Sequence, residues 1–380
     1  MKKNYVLLLL FAAAIAFTSC SKNDDDTDYE PVSPVVLDLT QVPYAKLSDY
    51  HFFEGEMKNL EPAYRVIPFK PNSELFTDYA RKKRFIWMPS GVQASYVTDD
   101  SAMDFPVGTV LIKNFYYDDV LPNHTQQIIE TRLLVKVADD IAESGNIAAD
   151  SGWKLYNYIW NAEQTEAFLN QTGNGQSVPI SFVVNGETKT TDYQIPSSEQ
   201  CMTCHKLNAN HTPFGEVTVP LGVKPQNLNY AFNYGTSQQN QLAKWQATGY
   251  LDNSVPNNIT STVDWTDVSQ PLELRARSYL DANCAHCHRA GAYCDYTNMR
   301  FNFSNANLEL LGVCMVANDQ IGSPYTHIIA RGNWSRSDIG FRMSATAGGE
   351  MMPQIGRTLV HNEGLELMQQ WVMSLDGHCE

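Results

Sequence analysis

The feature that most constrains this chain is a five-residue pattern, C-x-x-C-H, which occurs twice. It reads CMTCH at residues 201–205 and CAHCH at residues 284–288. At this spacing two cysteine sulfurs can form thioether bonds to a haem, and the histidine that follows can ligate the iron. We therefore predict two covalent c-type haems with these attachment cysteines and proximal iron ligands: Cys201, Cys204, Cys284 and Cys287; His205 and His288.

Two other chemistries use paired cysteines, and both are alternatives here. A zinc site could take the same two pairs, although the cysteine pairs of structural zinc sites usually lie closer together in sequence. A thioredoxin-like C-x-x-C needs a βαβ context and no adjacent histidine. Haem attachment is therefore favoured over both.

Helical patterns flank the second motif. Apolar residues between Leu272 and Leu280 recur at roughly helical spacing, and Asn283, which is unfavourable inside a helix, should end that helix. Another apolar stripe, from Leu365 to Leu375, predicts a closing helix near the end of the chain. Before the first motif, a proline and two serines at 196–198 favour a loop or a single helical turn.

The region 45–196 is predicted to be a β-rich domain with a sandwich or jelly-roll-like architecture. Asn185-Gly186 stands between two alternating runs and predicts a hairpin. A short surface helix is expected at 162–169. Three further runs, rich in β-branched and aromatic residues or alternating in polarity, are typical of strands: 108–117, 128–137 and 156–160.

Within the second of these strands, Glu130 and Arg132 alternate with apolar neighbours. Opposite charges on one face of a sheet stabilise it through side-chain pairs. We expect a cross-strand ion pair here rather than catalytic groups.

The N-terminus has the features of an export signal. Lys2 and Lys3 precede an apolar stretch at 6–17, which is shorter than a membrane span requires. The stretch ends in FTSC, which resembles a bacterial lipobox with Cys20 as the lipidated residue, although Phe17 replaces the usual leucine. Ordinary signal cleavage, with Cys20 incidental, is the alternative.

The residues after Cys20 are predicted to form an acidic tether over 21–44, because its acidic start cannot pack a core. Its first residues, SKNDDD, resemble the surface-export tag of lipoproteins in one Gram-negative lineage. We therefore expect an extracytoplasmic, lipid-anchored protein at the outer membrane or the cell surface.

Export also permits disulfides. The chain has eight cysteines, of which Cys20 is assigned to lipid and four to haem. Cys294, Cys314 and Cys379 are left. A disulfide between Cys294 and Cys314 is expected, because both lie in the insertion after the second motif.

Most of the mature chain resembles a family of exported two-haem c-type cytochromes. The segments that carry the resemblance are 78–80 (DYA), 105–109 (FPVGT), 130–135 (ETRLLV), 153–160, 200–205 and 282–288. The last part of the chain alone is similar to class I cytochrome c. The resemblance implies covalent haem and electron transfer, and it names no substrate. The expected fold is multidomain α+β, with the β-rich domain, a first haem-binding segment at 197–256, and an α-helical class I-like cytochrome c domain at 257–380.

In class I cytochromes a Met-Pro pair supplies the thioether ligand opposite the histidine. Here Met352 precedes Pro353, between the insertion and the closing helix. Met352 is therefore the expected distal ligand of the second iron, with Met351 as its competitor. Two core methionines with no ligand role are the alternative.

The first haem lacks such a signal. His211 is too close in sequence to reach the opposite face easily, and Met88, Met103 and His124 could arrive only by long-range approach. An iron without a protein sixth ligand is the other possibility. His286, inside the second motif, is expected to face solvent.

Composition narrows the functions. A net charge of −15 argues against nucleic-acid binding. An extracytoplasmic electron carrier, whose redox partner proteins the sequence does not identify, is favoured. The alternatives are a two-haem peroxidase-like enzyme with an open first iron, and a surface ligand-binding lipoprotein with accessory haems.

Overall fold

The computed structural model describes residues 31–138, 152–208, 217–235, 237–319 and 321–380. Pro34–Glu380 form one compact unit. Met1–Ser33 form a second unit, of which residues 31–33 are described. The predicted signal peptide, Cys20 and the start of the tether lie outside the described residues.

The described α-helices are α1 (Ser198–His205), α2 (Pro225–Leu228), α3 (Gln241–Ala247), α4 (Leu272–Asn283), α5 (Asp338–Ser344) and α6 (Asn362–Met373). The strands of the first half are β1 (Phe53–Glu54), β2 (Glu61–Pro62), β3 (Ile67–Phe69), β4 (Arg81–Trp87), β5 (Val110–Val120), β6 (Thr125–Lys136), β7 (Trp153–Trp160), β8 (Ala167–Leu169), β9 (Gln176–Val184) and β10 (Glu187–Ile195). Two short ribbons follow, β11 (Lys206–Leu207) with β12 (Val217–Thr218), and β13 (Ala231–Asn233) with β14 (Gln238–Asn240).

One antiparallel sheet of eight strands dominates the first half, which confirms its β-rich character. The hydrogen-bonded order is β10-β9-β5-β6-β7-β8, and β4, which also pairs with β3, joins at β5. A sandwich or jelly-roll would divide these strands between two stacked sheets. Here β5 has 11 residues and pairs with β4, β6 and β9, so the described strands are joined into one sheet.

Local turn chemistry explains one correct and one wrong prediction in this sheet. Asn185 and Gly186 both have positive φ and join β9 to β10, as the hairpin pattern predicted. The helix expected at 162–169 is absent from this described segment. Asn161 Oδ1 instead accepts hydrogen bonds from the backbone N–H groups of Thr165 and Glu166, and this turn delivers β8 to the edge of β7.

One face of the sheet packs against the segment that follows residue 33. Val35, Leu37 and Leu39 contact a buried cluster that includes Tyr50 and Ile112. The predicted flexible tether is therefore wrong for residues 34–44. The apolar residues at every second position lie on one side of this extended segment, where they bury against the sheet.

The second half of the unit is organised around α4 and α6. Both helices lie where the apolar periodicity predicted them, and α4 ends at Asn283 as expected. They pack against each other within one core cluster that includes Leu280, Leu367 and Trp371. Gly364 of α6 allows this close approach, because a Cβ there would lie 2.5 Å from Cζ of Tyr279 on α4.

The predicted disulfide is wrong. Cys314 is bonded to Cys379, with Cα atoms 5.1 Å apart, and Cys294 is a free, buried cysteine. A backbone bridge holds Cys314 beside Ile329, and the C-terminal segment returns to the same place. Cys294 instead follows the second motif, where its N–H donates to the carbonyl of Cys287. Shared membership of one insertion did not bring the predicted pair together.

Candidate cofactor site

The first C-x-x-C-H motif lies on α1. As predicted, a short loop and the first helical turn, residues 198–200, precede Cys201, with no long entry helix. Ser197 caps α1: its side chain accepts from the N–H of Gln200, whose side chain accepts in turn from the N–H of Ser197. This capping box was visible in the sequence as S-x-x-Q and was missed. The helix brings Cys201, Cys204 and His205 to the lining of one cavity.

The ring of His205 is held in one orientation. Its Nδ1–H donates to the carbonyl of Val219 at 2.8 Å. This bond leaves Nε2 as the free, basic nitrogen, which is the form that a metal ion or a haem iron binds. Burial lowers the pKa of His205 to about 4, so the imidazole is neutral at physiological pH.

The second motif follows the last turn of α4 directly. The backbone N–H groups of Cys287 and His288 both donate to the carbonyl of Cys284, which folds the motif into tight turns. The ring of His288 meets Phe301 edge to face, with centroids 5.4 Å apart. Its buried Nδ1 has no hydrogen-bond partner among the described residues. Burial lowers the pKa of His288 to about 4.

The two motifs meet in space although 78 residues separate the end of one from the start of the other in sequence. Ligand atoms of Cys204, His286 and Cys287 all lie within 4.8 Å of one another. Cys287 Sγ also lies 3.4 Å from the carbonyl oxygen of Thr203 in the first motif. The hydrogen bond from the Cys287 thiol lowers the pKa of Cys204 well below its usual range, and the same bond raises the pKa of Cys287.

The sequence predicted that His286 faces solvent, and this prediction is wrong. Its exposed fraction is 8%, and it lines the cavities of both motifs. The reason is the contact between the motifs, because the first motif covers His286. Sequence spacing within one motif gave no sign of that contact.

A cavity of about 240 Å³ adjoins the second motif. Both His288 and Met352 line it, together with Cys284 and Cys287. The structure therefore brings together the histidine and the methionine that the sequence nominated as a ligand pair. Met351 is buried and does not line this cavity, whereas Met299, Met315 and Met343 do.

Arg357 holds the segment that carries Met352. Its guanidinium donates to the carbonyl of Met352 from Nε at 3.2 Å and from Nη2 at 2.8 Å. The same side chain donates to the carbonyls of Arg342, Ala345 and Leu359. A buried guanidinium with several carbonyl partners fixes backbone position well, because each partner restricts it in a different direction. Sequence reasoning did not identify this residue.

His361 is a second residue that sequence reasoning missed. It lines the larger cavity and stacks on Phe76 with ring centroids 4.1 Å apart. Its Nδ1 shares a hydrogen bond with the hydroxyl of Tyr279 at 3.0 Å. Burial lowers the pKa of His361 to about 4. Its position just before α6 carried no motif that would have marked it.

A smaller cavity of about 110 Å³ adjoins the first motif. It lies between α1, the start of the second motif and one face of the sheet, and the residues from the sheet include Arg84, Lys113 and Arg132. It shares Cys204 and His286 with the larger cavity. Each motif therefore has its own cavity, and the two cavities adjoin where the motifs meet.

None of the described candidates for a distal ligand reaches the smaller cavity. Met88 and Met103 are buried in a different cluster, around Trp245. His124 is exposed and pairs with Asp119 at 2.7 Å. His211 lies outside the described residues. Apart from His205, His286 is the one histidine among the described residues that line this cavity, and no described methionine does so.

Comparison with known proteins gives no relative: no family model, curated protein or solved structure matches the chain. No helix in the part of the chain that the structure describes has both the length and the apolar character of a membrane span.

Proposed function

We propose that this chain is an exported, lipid-anchored c-type cytochrome that carries electrons through two covalently bound haems. The haems supply one-electron redox chemistry when bound, and the protein fixes their positions and potentials. Cys201 and Cys204 would hold the first haem, and Cys284 and Cys287 the second. His205 and His288 would be the proximal ligands, with Met352 opposite His288. Cys20 would carry the lipid.

The observation that carries this proposal is the meeting of the two motifs. Zinc bound by both pairs would require four cysteines around one point. Among the described residues, the group close enough to share a metal contains Cys204, His286 and Cys287, without Cys201 and Cys284. Each pair instead borders its own cavity, which suits one planar cofactor for each motif.

The same contact supports electron transfer. A thioether sulfur is bonded at the edge of the porphyrin, so sulfurs that lie close together place two porphyrin edges close together. Cys204 and Cys287 have their sulfurs within 4.8 Å. Two haems attached there would have a short path between them, as a carrier requires.

A second candidate is a peroxidase-like enzyme with an open first iron. The observation that favours it is the lining of the smaller cavity, which offers no described methionine. An open iron can bind small ligands and react with peroxide, whereas a carrier needs only to change its oxidation state.

A reductive titration of the haem-loaded protein tests the carrier. We expect two electrons to be taken up per chain, in two steps, followed by rapid reoxidation by an external electron acceptor and no consumption of peroxide. The matched control is Cys284→Ala with Cys287→Ala, which should take up one electron. Uptake of no electrons by the wild-type protein would refute redox function. Peroxide turnover would favour the enzyme.

A further inference from the structure

Three cations lie side by side on the sheet face that borders the smaller cavity. The strand register places Arg84 of β4 opposite Lys113 of β5, and Lys113 opposite Arg132 of β6. All three line the cavity beside Cys201 and His205. The next row on the same face is apolar, with Ile86, Leu111 and Leu134 in register. The row on the other side has Lys82, Phe115 and Glu130 in register. The cationic row therefore lies between an apolar row and a row that already holds a lysine and a glutamate.

Two members of this row have carboxylate partners. Arg84 Nη1 lies 2.6 Å from Oε2 of Glu74. Arg132 makes two bonds to Glu130, from Nε at 3.0 Å and from Nη2 at 2.5 Å. Glu130 and Arg132 therefore pair along one strand, and not across strands as the sequence suggested. Tyr193 donates a further hydrogen bond to Glu130 at 2.7 Å.

Lys113, the middle cation, has no carboxylate partner among the described residues. Its Nζ lies 4.8 Å from the centroid of the Phe115 ring, and the Arg132 guanidinium lies 4.3 Å from the same centroid. Like charges directly opposite each other on a sheet are destabilising, and burying an unpaired charge is costly. Burial, together with Arg84 and Arg132, lowers the pKa of Lys113 well below its usual range.

The charged side chains that line the smaller cavity are mostly basic, whereas the chain as a whole is acidic. Asp281 is the one acidic side chain among its described lining residues, and Lys224 already pairs with it at 2.6 Å. The basic lining residues also include Arg289. Basic side chains are therefore concentrated at the wall of one cavity, although the chain has a net charge of −15. This is the arrangement expected where an anion binds.

We propose that the row Arg84, Lys113 and Arg132 is a binding site for a carboxylate or another oxyanion, which would pair with Lys113, the member of the row without a carboxylate partner among the described residues. The inference rests on the proposed function. A haem held by Cys201 and Cys204 in this cavity would bring its own two propionate carboxylates. A free oxyanion that reaches an open first iron is the other source of the same chemistry.

The test replaces Lys113 in the haem-loaded full chain. Lys113→Gln removes the charge and nearly keeps the length of the side chain. Lys83→Gln is the matched control, because Lys83 lies next to Arg84 on β4 but on the other face of the sheet, where its Nζ donates to the carbonyl of Asn59. Haem content is measured first. A wild-type protein without haem would refute the proposed function itself. This inference would then fail with it, whatever the Lys113 variants show.

If the occupant is a propionate, one of the two midpoint potentials should fall in Lys113→Gln and the other should stay unchanged. The reason is that a nearby cation favours ferrous iron, and its loss leaves the carboxylate charge uncompensated. Lys113→Arg should retain the wild-type potentials. Added nitrite should leave the absorption spectrum of the ferric wild-type protein unchanged.

If the occupant is a free oxyanion, nitrite should shift the Soret band of the wild-type protein, and Lys113→Gln should bind it at least tenfold more weakly than Lys83→Gln. The proposal is overturned if Lys113→Gln and Lys83→Gln have the same potentials and the same response to nitrite. Should the glutamine variant fail to fold, Lys113→Leu provides the same comparison, because leucine suits the apolar neighbours of the row.

Discussion

In the proposed two-haem protein, the variant Met352→Ala is expected to lower the midpoint potential of one haem and to leave the other unchanged. A thioether ligand favours ferrous iron, and axial ligands tune haem potentials over a range of about 0.8 V. Removing the thioether should therefore produce one of the largest effects of any single substitution in this chain. The measurement is a redox titration in which both haems are followed by visible absorption.

The same variant should change the spectrum and the ligand binding of the second haem. The weak near-infrared band of the ferric protein that marks iron–sulfur ligation should disappear, and carbon monoxide should bind the opened ferrous iron. The structural reason is that Met352 lines the cavity that contains His288, on a segment held by the guanidinium of Arg357.

Met351→Ala is the matched control, because Met351 is the adjacent methionine but does not line the cavity. It should retain both the band and the potential. If the band survives Met352→Ala and disappears in Met351→Ala, the wrong methionine has been assigned. If the wild-type protein has no such band, neither methionine ligates the iron. If both single variants retain the band, Met299, Met315 and Met343 become the candidates, since they line the same cavity.

The variant Gly364→Val is expected to destabilise the second half of the unit by about 3 kcal/mol or more, because overpacking of a well-packed core is costly. Gly364 is buried on α6 and faces Tyr279 of α4. An added Cβ would lie 2.5 Å from Cζ and 2.6 Å from Cε2 of the tyrosine ring. The ring is rigid, is only 4% exposed, and shares a hydrogen bond with His361, so it has little freedom to move away.

The smaller substitution Gly364→Ala distinguishes packing from helix propensity, because the two effects change the free energy of unfolding in opposite directions. In an exposed helix, replacing glycine with alanine stabilises by up to about 1 kcal/mol. Here the contact with Tyr279 should outweigh that gain and make alanine destabilising. Gln369→Ala, at an exposed position of the same helix, is the control and should change stability little. Thermal unfolding measures both. Stabilisation by Gly364→Ala would show that α4 and α6 are not in close contact.

Local pattern was sufficient to predict the two helices that organise the second half and one hairpin of the first half. The helix that ends at Asn283 and the helix after His361 were predictable because burial on one face imposes a helical period on the sequence. The hairpin at Asn185-Gly186 was predictable because a tight turn with positive φ requires particular residues. These features depend on neighbours in the chain.

Features that depend on distant parts of the chain were not predictable. The disulfide joins Cys314 to Cys379 because the C-terminal segment returns to the insertion. His286 is buried because the other motif covers it. The cationic row forms because three strands, which come from separate parts of the chain, pair in one register. In the sequence Arg84 ends the basic run 81–84, and Lys113 and Arg132 stand apart from it and from each other, with nothing to indicate that the three share a cavity.

The central claim is that each C-x-x-C-H motif holds one covalent haem, and intact mass spectrometry tests it most directly. The protein should be matured in cells that possess the haem-attachment machinery. The account predicts a mass increase of two haems in the wild-type protein, and of one haem in Cys201→Ala with Cys204→Ala and in Cys284→Ala with Cys287→Ala. A wild-type protein that carries bound zinc and no haem would contradict the account, as would either cysteine variant that retains the mass of two haems.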